Sequence, residues 1–249
     1  MQPHLIRYWL TPPPQDALFE AQVGDICDVY RAAPARAAQR VRTVVGDELT
    51  AIQALERKHP GLGMVPGKVE RREFEYIRHG TCTAILSRDV VTGQVLAPTV
   101  GPTRTERDFL AHLQGVVATD EQAQQWHVVV DNLNTHQSEA LVRWVAAESD
   151  VEIELGEKGK SGILQSTASR AAFLSDASHR IVFHYTPKHC SWLNQMEIWL
   201  GILVRKLLKR GSFTSVDDLK RKILGFIDYY NRTMAKPFKW TYQGKPLVA

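Results

Sequence analysis

The chain has 249 residues, 44% of them hydrophobic, and a formal net charge of +4, which suits one large globular domain and excludes a mainly disordered chain. No apolar stretch nears the roughly 20 residues needed to cross a bilayer. The opening Met1-Gln2-Pro3-His4 has neither the charged nor the apolar character of a leader, so a cytoplasmic protein is expected. Cys27, Cys82 and Cys190 are odd in number and widely spaced, which fits neither a disulfide framework nor a paired-cysteine zinc site; they are expected reduced and mostly buried.

Phe19, Val23, Ile26, Cys27 and Tyr30 recur at helical spacing between Pro12-Pro13-Pro14 and Pro34, predicting an amphipathic helix over 16–31 inside a linker region, 1–38. Residues 39–249 are expected to form the main domain. Its first strand spans about 40–47 and delivers Asp47, followed by Glu48, at its carboxyl end. A Gly/Pro-rich loop (60–67) precedes two strands near 73–88 and 94–100, joined by the turn Asp89 to Gly93. A helix over 106–117 follows.

Trp126 to Val130 then reads as a short buried strand whose apolar run stops abruptly at Asp131, with Asn132-Leu133-Asn134-Thr135-His136 as a polar turn. A helix over 137–148 carries Leu141, Trp144 and Val145 on one face. The stretch 150–180 fits poorly, with a flexible loop at 156–162 and a short helix at 165–174. Gly156 and Gly159-Lys160-Ser161 do not meet the spacing of a phosphate-binding P-loop, so nucleotide hydrolysis is not expected. After a strand at 181–185, two long helices close the chain, at 192–208 and from 214 to 230, the second capped by Ser215 with Asp217-Asp218. Strands first, then helices alternating with strands, describe an α/β protein with a mixed sheet covered on both faces.

Three acids stand at junctions of this pattern. Asp47 and Asp131 close apolar strands, and in open α/β sheets sites collect at the carboxyl ends of strands. Glu197 lies near the amino end of an apolar helix, where a carboxylate is costly unless paired or used. Grouped carboxylates suit hard divalent ions, Mg²⁺ or Mn²⁺, and two such ions can activate an attacking oxygen and stabilise a leaving one in phosphoryl transfer. In that scheme Asp47 holds both ions, Asp131 and Glu197 complete one shell each, and Glu197 orients the attacking water.

Charge points the same way. Between Leu203 and Lys245 there are eleven Lys or Arg against three Asp, so the rest of the chain is acidic overall. A basic end joined to an acidic remainder suits a polyanion such as double-stranded DNA, although a solvated helix face has the same composition. Lys188, Arg205, Lys206, Lys209 and Arg210 are candidate DNA contacts. Asn132 and His136 adjoin Asp131 and are candidates to position a phosphate or water; Asn132 equally suits a turn cap. Trp192 and Trp199 are expected in the core rather than stacked on bases. Tyr229, Tyr230, Asn231 and Arg232 mix aromatic and basic character, as nucleic-acid surfaces do and as the closing edge of a fold also does.

The segment Tyr185-Thr186-Pro187-Lys188-His189-Cys190-Ser191-Trp192-Leu193-Asn194-Gln195-Met196-Glu197 resembles the third-acid motif of the insertion-sequence six-thirty family of transposases, relatives of the mariner superfamily. Val128 to His136 is similar to that family's second-acid motif, and Gly46-Asp47-Glu48-Leu49-Thr50 with Ile52 to Glu56 to its first. The resemblance implies an RNase H-like catalytic domain with Asp47, Asp131 and Glu197 as catalytic and metal-binding acids. It further implies Mg²⁺ dependence, cleavage at transposon ends, strand transfer to target DNA often at a TA step, and a homodimer in the synaptic complex. A catalytically silent DNA-binding remnant and a metal-dependent nuclease of the same fold are the alternatives.

Three features depart from the family pattern. Sixty-five residues separate Asp131 from Glu197, about twice the family's usual spacing, so 150–180 is expected to be an insertion serving as a lid, a DNA clamp or a dimer contact. Leu49 stands where the family often has Lys. Nothing before residue 40 has the two-helix spacing of a helix-turn-helix, so recognition of DNA ends by this chain alone is not expected.

Overall fold

The computed structural model describes residues 17–71 and 73–242. The first sixteen residues of the expected linker region and Lys245 of the basic end lie outside the described residues. Five strands form one mixed sheet in the order β3-β2-β1-β4-β5. Strands β1 (Val41–Arg57), β2 (Tyr76–Asp89) and β3 (Val95–Gly101) run antiparallel, while β4 (Gln125–Val130) and β5 (Ile181–Tyr185) run parallel to β1.

Period-two alternation splits the core into two halves. Val45 and Val129 face a cluster built from α1 (Ala17–Ala37), α5 (Gln195–Leu203) and α6 (Val216–Thr233). Their neighbours Val44, Val128 and Val130 face the opposite cluster, built from α2 (Glu106–Val117), α3 (Glu139–Glu148) and α4 (Thr167–Leu174). Both faces of the parallel strands are thus covered, which is why β4 reads as an unbroken apolar run.

The helices begin where their caps require. Thr105 and Asp108 form a reciprocal capping box at α2, and the Ser215 hydroxyl accepts from Asp218 N–H at α6. Between β2 and β3, the Asp89 carboxylate accepts from Val91 N–H at 2.8 Å and from Thr92 N–H, closing the expected turn.

Four expectations are corrected. The first helix runs through Pro34 to Ala37 instead of ending at residue 31, because Val23, Ile26, Cys27, Tyr30 and Ala33 form one buried stripe that continues past the proline. This helix is therefore part of the core and not a linker. β1 continues ten residues beyond Asp47, held by β2, with a bulge between Leu49 and Ile52 where Ala51 adopts a φ of 52°.

The stretch 150–180, expected to hold a flexible loop, is anchored to the core: Leu164 and Leu174 are fully buried in the α2–α4 cluster, and Arg170 Nε donates to the carbonyl of Gln137 at 2.6 Å. Its glycine loop is a closed turn. Gly156 has a φ of 81°, and a Cβ there would fall 2.2 Å from the carbonyl oxygen of Ser161, so no larger residue fits. Finally, the helix expected over 192–208 breaks into a 3₁₀ turn (Ser191–Leu193), α5, and a π-helical turn over Val204–Leu208 closed by Lys209 N–H to the Val204 carbonyl at 2.9 Å.

Candidate active site

The parallel β1–β4 ladder ends at the pair Val45 and Val129. Asp47 and Asp131 each lie two residues further on, so the register brings these acids level at the same end of the two strands. Asp47 is a mid-strand residue toward β2, where it pairs with Leu86, and a strand-end residue toward β4, whose pairing has stopped. The expected strand end at residue 47 is correct for one side of the strand only.

Glu197 arrives from α5, whose N-cap is Asn194. It is exposed in the first turn, so the burial cost anticipated from its apolar neighbours does not arise: Met196 and Trp199 point inward and Glu197 does not. Asp47 and Glu197 line one open cleft of about 450 Å³, together with Glu48, Gly201, Arg205 and Lys209. Asp131 does not line that cleft.

The Asn194 side chain links the acids' elements. Its Oδ1 accepts from Met196 N–H at 2.9 Å, and its Nδ2 donates to the Gly46 carbonyl at 3.1 Å and to Asp47 Oδ2 at 3.4 Å. Tyr30 of α1 supports the same turn, donating to the Leu193 carbonyl at 3.0 Å. The sequence pointed to the motif around Asn194 but not to these two supporting roles.

Burial pushes the Asp47 carboxyl up to about 7; the Glu48 N–H bonded to it opposes the rise, and the negative charges of Asp131, Glu48 and Glu197 add to it. Asp131 behaves differently. Burial would raise it, but the hydrogen bond and charge of His136, the Leu133 N–H and the charge of Arg104 together hold it below the usual carboxylate range.

His136, expected as a DNA contact, is completely buried. Its Nε2 lies 2.9 Å from Glu48 Oε1 and its Nδ1 lies 2.8 Å from Asp131 Oδ1, with the Phe109 ring against it. Burial opposes its protonation, yet the hydrogen bonds to Asp131 and Glu48 outweigh that cost and push it up to about 9. Its ring is clasped between two carboxylates, beneath the surface. Glu48, passed over as the residue after Asp47, is its second partner. Strand alternation turns Glu48 to the face opposite Asp47, a signal present in the sequence, though nothing there says which distant group it meets.

The Asn132 side chain is engaged by the fold, donating to the Thr186 carbonyl just past β5 and accepting from the Gln137 side chain, while the turn's Leu133 N–H is capped by Asp131. Lys188, Arg205, Lys206, Lys209 and Arg210 are all exposed. Arg205 and Lys209 alone among them line the cleft with Glu197. Trp199 is buried as expected, but Trp192 is 52% exposed, its ring edge-on to Tyr242, because the 3₁₀ turn ahead of α5 faces it outward. Tyr230 is buried and Tyr229 exposed.

Among the described residues, no three His, Cys, Asp or Glu side chains already converge as a metal-holding group. Asp47 nevertheless feels the charge of both Asp131 and Glu197. A bound cation would relieve that repulsion. Hard oxygen donors in that state fit Mg²⁺ or Mn²⁺.

The model of the DDE superfamily endonuclease family matches residues 42–220, a span that contains Asp47, Asp131 and Glu197. The chain belongs to that family. DDE nucleases use divalent metal ions, in keeping with the oxygen-rich donor set. Among solved structures, the DDE endonuclease chain is similar to a Mos1 transposase paired-end complex with left transposon end, at 12% identity, over 95% of this chain and 61% of that one, with a TM-score of 0.51. It therefore spans less than two thirds of that chain's length. The catalytic domain of Mos1 mariner transposase also matches, at 12% identity over 93% of this chain and 89% of that one, with a TM-score of 0.46. No curated protein sequence matches the chain. The likeness to the paired-end complex is one of fold, the mixed five-stranded sheet flanked by helices of RNase H-like proteins. No helix among the described residues of this DDE endonuclease is long and apolar enough to cross a membrane.

Proposed function

We propose that the chain is the catalytic domain of a DNA transposase of the insertion-sequence six-thirty type, cutting double-stranded DNA at transposon ends and joining the ends to target DNA as a pair of protomers. The supporting observation is the levelling of Asp47 and Asp131 at the end of the β1–β4 ladder, with Glu197 lining the same cleft as Asp47. Asp47, Asp131 and Glu197 are the acids that would hold one or two Mg²⁺ or Mn²⁺ ions. When bound, the ions activate the attacking oxygen and stabilise the leaving one.

The chain's own side chains have separable tasks. Asp131, kept ionised by its hydrogen bonds, is ready to ligate at neutral pH. Asp47, raised by burial to about 7, is a carboxyl whose ionised form a bound cation would favour. Glu197, exposed at the first turn of α5, is placed to orient a water or a 3′-hydroxyl at the cleft. Arg205 and Lys209 supply positive charge for the DNA backbone beside it.

The test is cleavage of a labelled duplex carrying the element's ends, with Mg²⁺ or Mn²⁺. The parent should nick and join. Asp47→Asn and Asp131→Asn should each lose activity by a factor on the order of 10³ or more. Metal-dependent cleavage that survives both substitutions together overturns the assignment.

A further inference from the structure

The β1–β4 ladder stops before it reaches the acids, so backbone pairing does not hold Asp47 and Asp131 abreast. A different connection crosses the gap. Glu48 Oε1 meets His136 Nε2 at 2.9 Å, and His136 Nδ1 meets Asp131 Oδ1 at 2.8 Å. Glu48 is covalently next to Asp47, so this side-chain bridge joins the two acids through two residues, Glu48 and His136. The His136 and Glu48 side chains are essentially inaccessible, at 0% and 2%, while Asp131 is 48% exposed. Its buried end is anchored and its far end reaches the surface.

The anchoring is one-sided at Asp131. The Leu133 N–H also lands on Oδ1, at 3.0 Å, so both contacts to the Asp131 carboxylate fall on a single oxygen, while His136 Nδ1 also lies 3.1 Å from the Asp131 backbone carbonyl. Both carboxylate oxygens remain acceptors, but a rotation that swaps them breaks two bonds at once.

We infer that His136, braced by Glu48, is a positioning residue that fixes the rotamer of Asp131 and its lateral distance from Asp47, so that Oδ2 is the oxygen offered to a metal ion. The inference rests on the active-site reading above. His136 touches neither substrate nor metal in this role; it acts through Asp131. Groups behind metal ligands commonly alter affinity by about 10–100-fold when removed. The surroundings favour a rigid strut: the Phe109 ring packs on the imidazole, and the Tyr185 hydroxyl donates to the His136 carbonyl at 2.9 Å.

Two amides separate the two contacts of the ring. His136→Asn places its amide nitrogen near the Nδ1 position and keeps a donor for Asp131. His136→Gln places it near Nε2 and keeps only the contact to Glu48. The experiment is Mn²⁺ binding to the whole chain without DNA, read by electron paramagnetic resonance, beside thermal melting of each variant and the nicking rate.

The expected result is about tenfold or greater weakening of Mn²⁺ binding in His136→Gln, with His136→Asn within about threefold of the parent. Glu48→Gln, whose amide N–H donates to Nε2 while Nδ1–H still donates to Asp131, should stay near the parent. Equal Mn²⁺ affinity in His136→Asn and His136→Gln, whatever their melting temperatures, overturns the positioning role. Failure of the active-site reading has a different signature: Asp131→Asn itself would then bind Mn²⁺ as the parent does.

Discussion

Tyr30 and Leu193 are 163 residues apart in sequence, yet the Tyr30 hydroxyl donates to the Leu193 carbonyl at 3.0 Å in a fully packed setting. The same oxygen accepts from Gln195 N–H at 3.4 Å. One phenol on α1 thus serves both sides of the turn that launches α5 and carries Glu197. Tyr30→Phe keeps the ring and strips both backbone groups of their partner, at a cost of about 1–3 kcal/mol. Denaturant unfolding should show that loss. Single-turnover nicking should fall several-fold with little change in DNA affinity, because the substitution moves Glu197 and leaves the basic surface intact.

Asp47 gives the site a pH signature. Its carboxyl is held at about 7 in the folded chain against an ordinary 3.8. Below about pH 4 both folded and unfolded chains are protonated there, and the stability linked to this proton is fully present. As pH rises toward 7 the unfolded chain ionises first, so that stability drains away across the window and is gone above it. His136, raised to about 9, continues the same trend at higher pH. Asp47→Asn should therefore raise the unfolding free energy by about 2–4 kcal/mol at pH 8 and by almost nothing at pH 4, measured by urea denaturation without metal. Saturating Mg²⁺ should stabilise the parent and not the variant.

Arg205, on the π-helical turn that follows α5, and Lys209, at its C-cap, line the cleft. Changing both to Gln should weaken duplex binding uniformly across sequences. It should also lower the steepness of log affinity against log salt by about 1.8, since each phosphate contact contributes about 0.9. An unchanged slope would mean that neither side chain meets the backbone.

The local settings of the three proposed acids were legible because each sits at an abrupt edge: Val128-Val129-Val130 before Asp131, Val44-Val45-Gly46 before Asp47, and Ser191 to Gln195 before Glu197. The bounds of α2 were also legible, since Thr105 and Asp108 announce its start. Other features depended on contacts that local pattern does not encode. Nothing in Gly46-Asp47-Glu48 says that β2 will carry β1 another ten residues, because strand length is set by a partner. The bridge from Glu48 through His136 closes over 88 residues of chain. Trp192 and Trp199 have the same side chain and nearly the same neighbourhood, and a single 3₁₀ turn decides that one is exposed and the other buried.

The segment 150–180 yields a further prediction. Leu164 is wholly buried with Trp126 and Leu141 in the α2–α4 cluster. Leu164→Ala should cost about 2–5 kcal/mol, as for a core leucine. A loss under about 0.5 kcal/mol in equilibrium unfolding would restore the idea of a loosely attached lid.

The two apolar clusters lie on opposite sides of the sheet, and the candidate site draws on both. Glu197 and Asn194 belong with one side, and His136 with its Phe109 contact belongs with the other. Neither half of the molecule can assemble the acids alone, so the candidate site takes shape only when the packing on both faces of the sheet is complete.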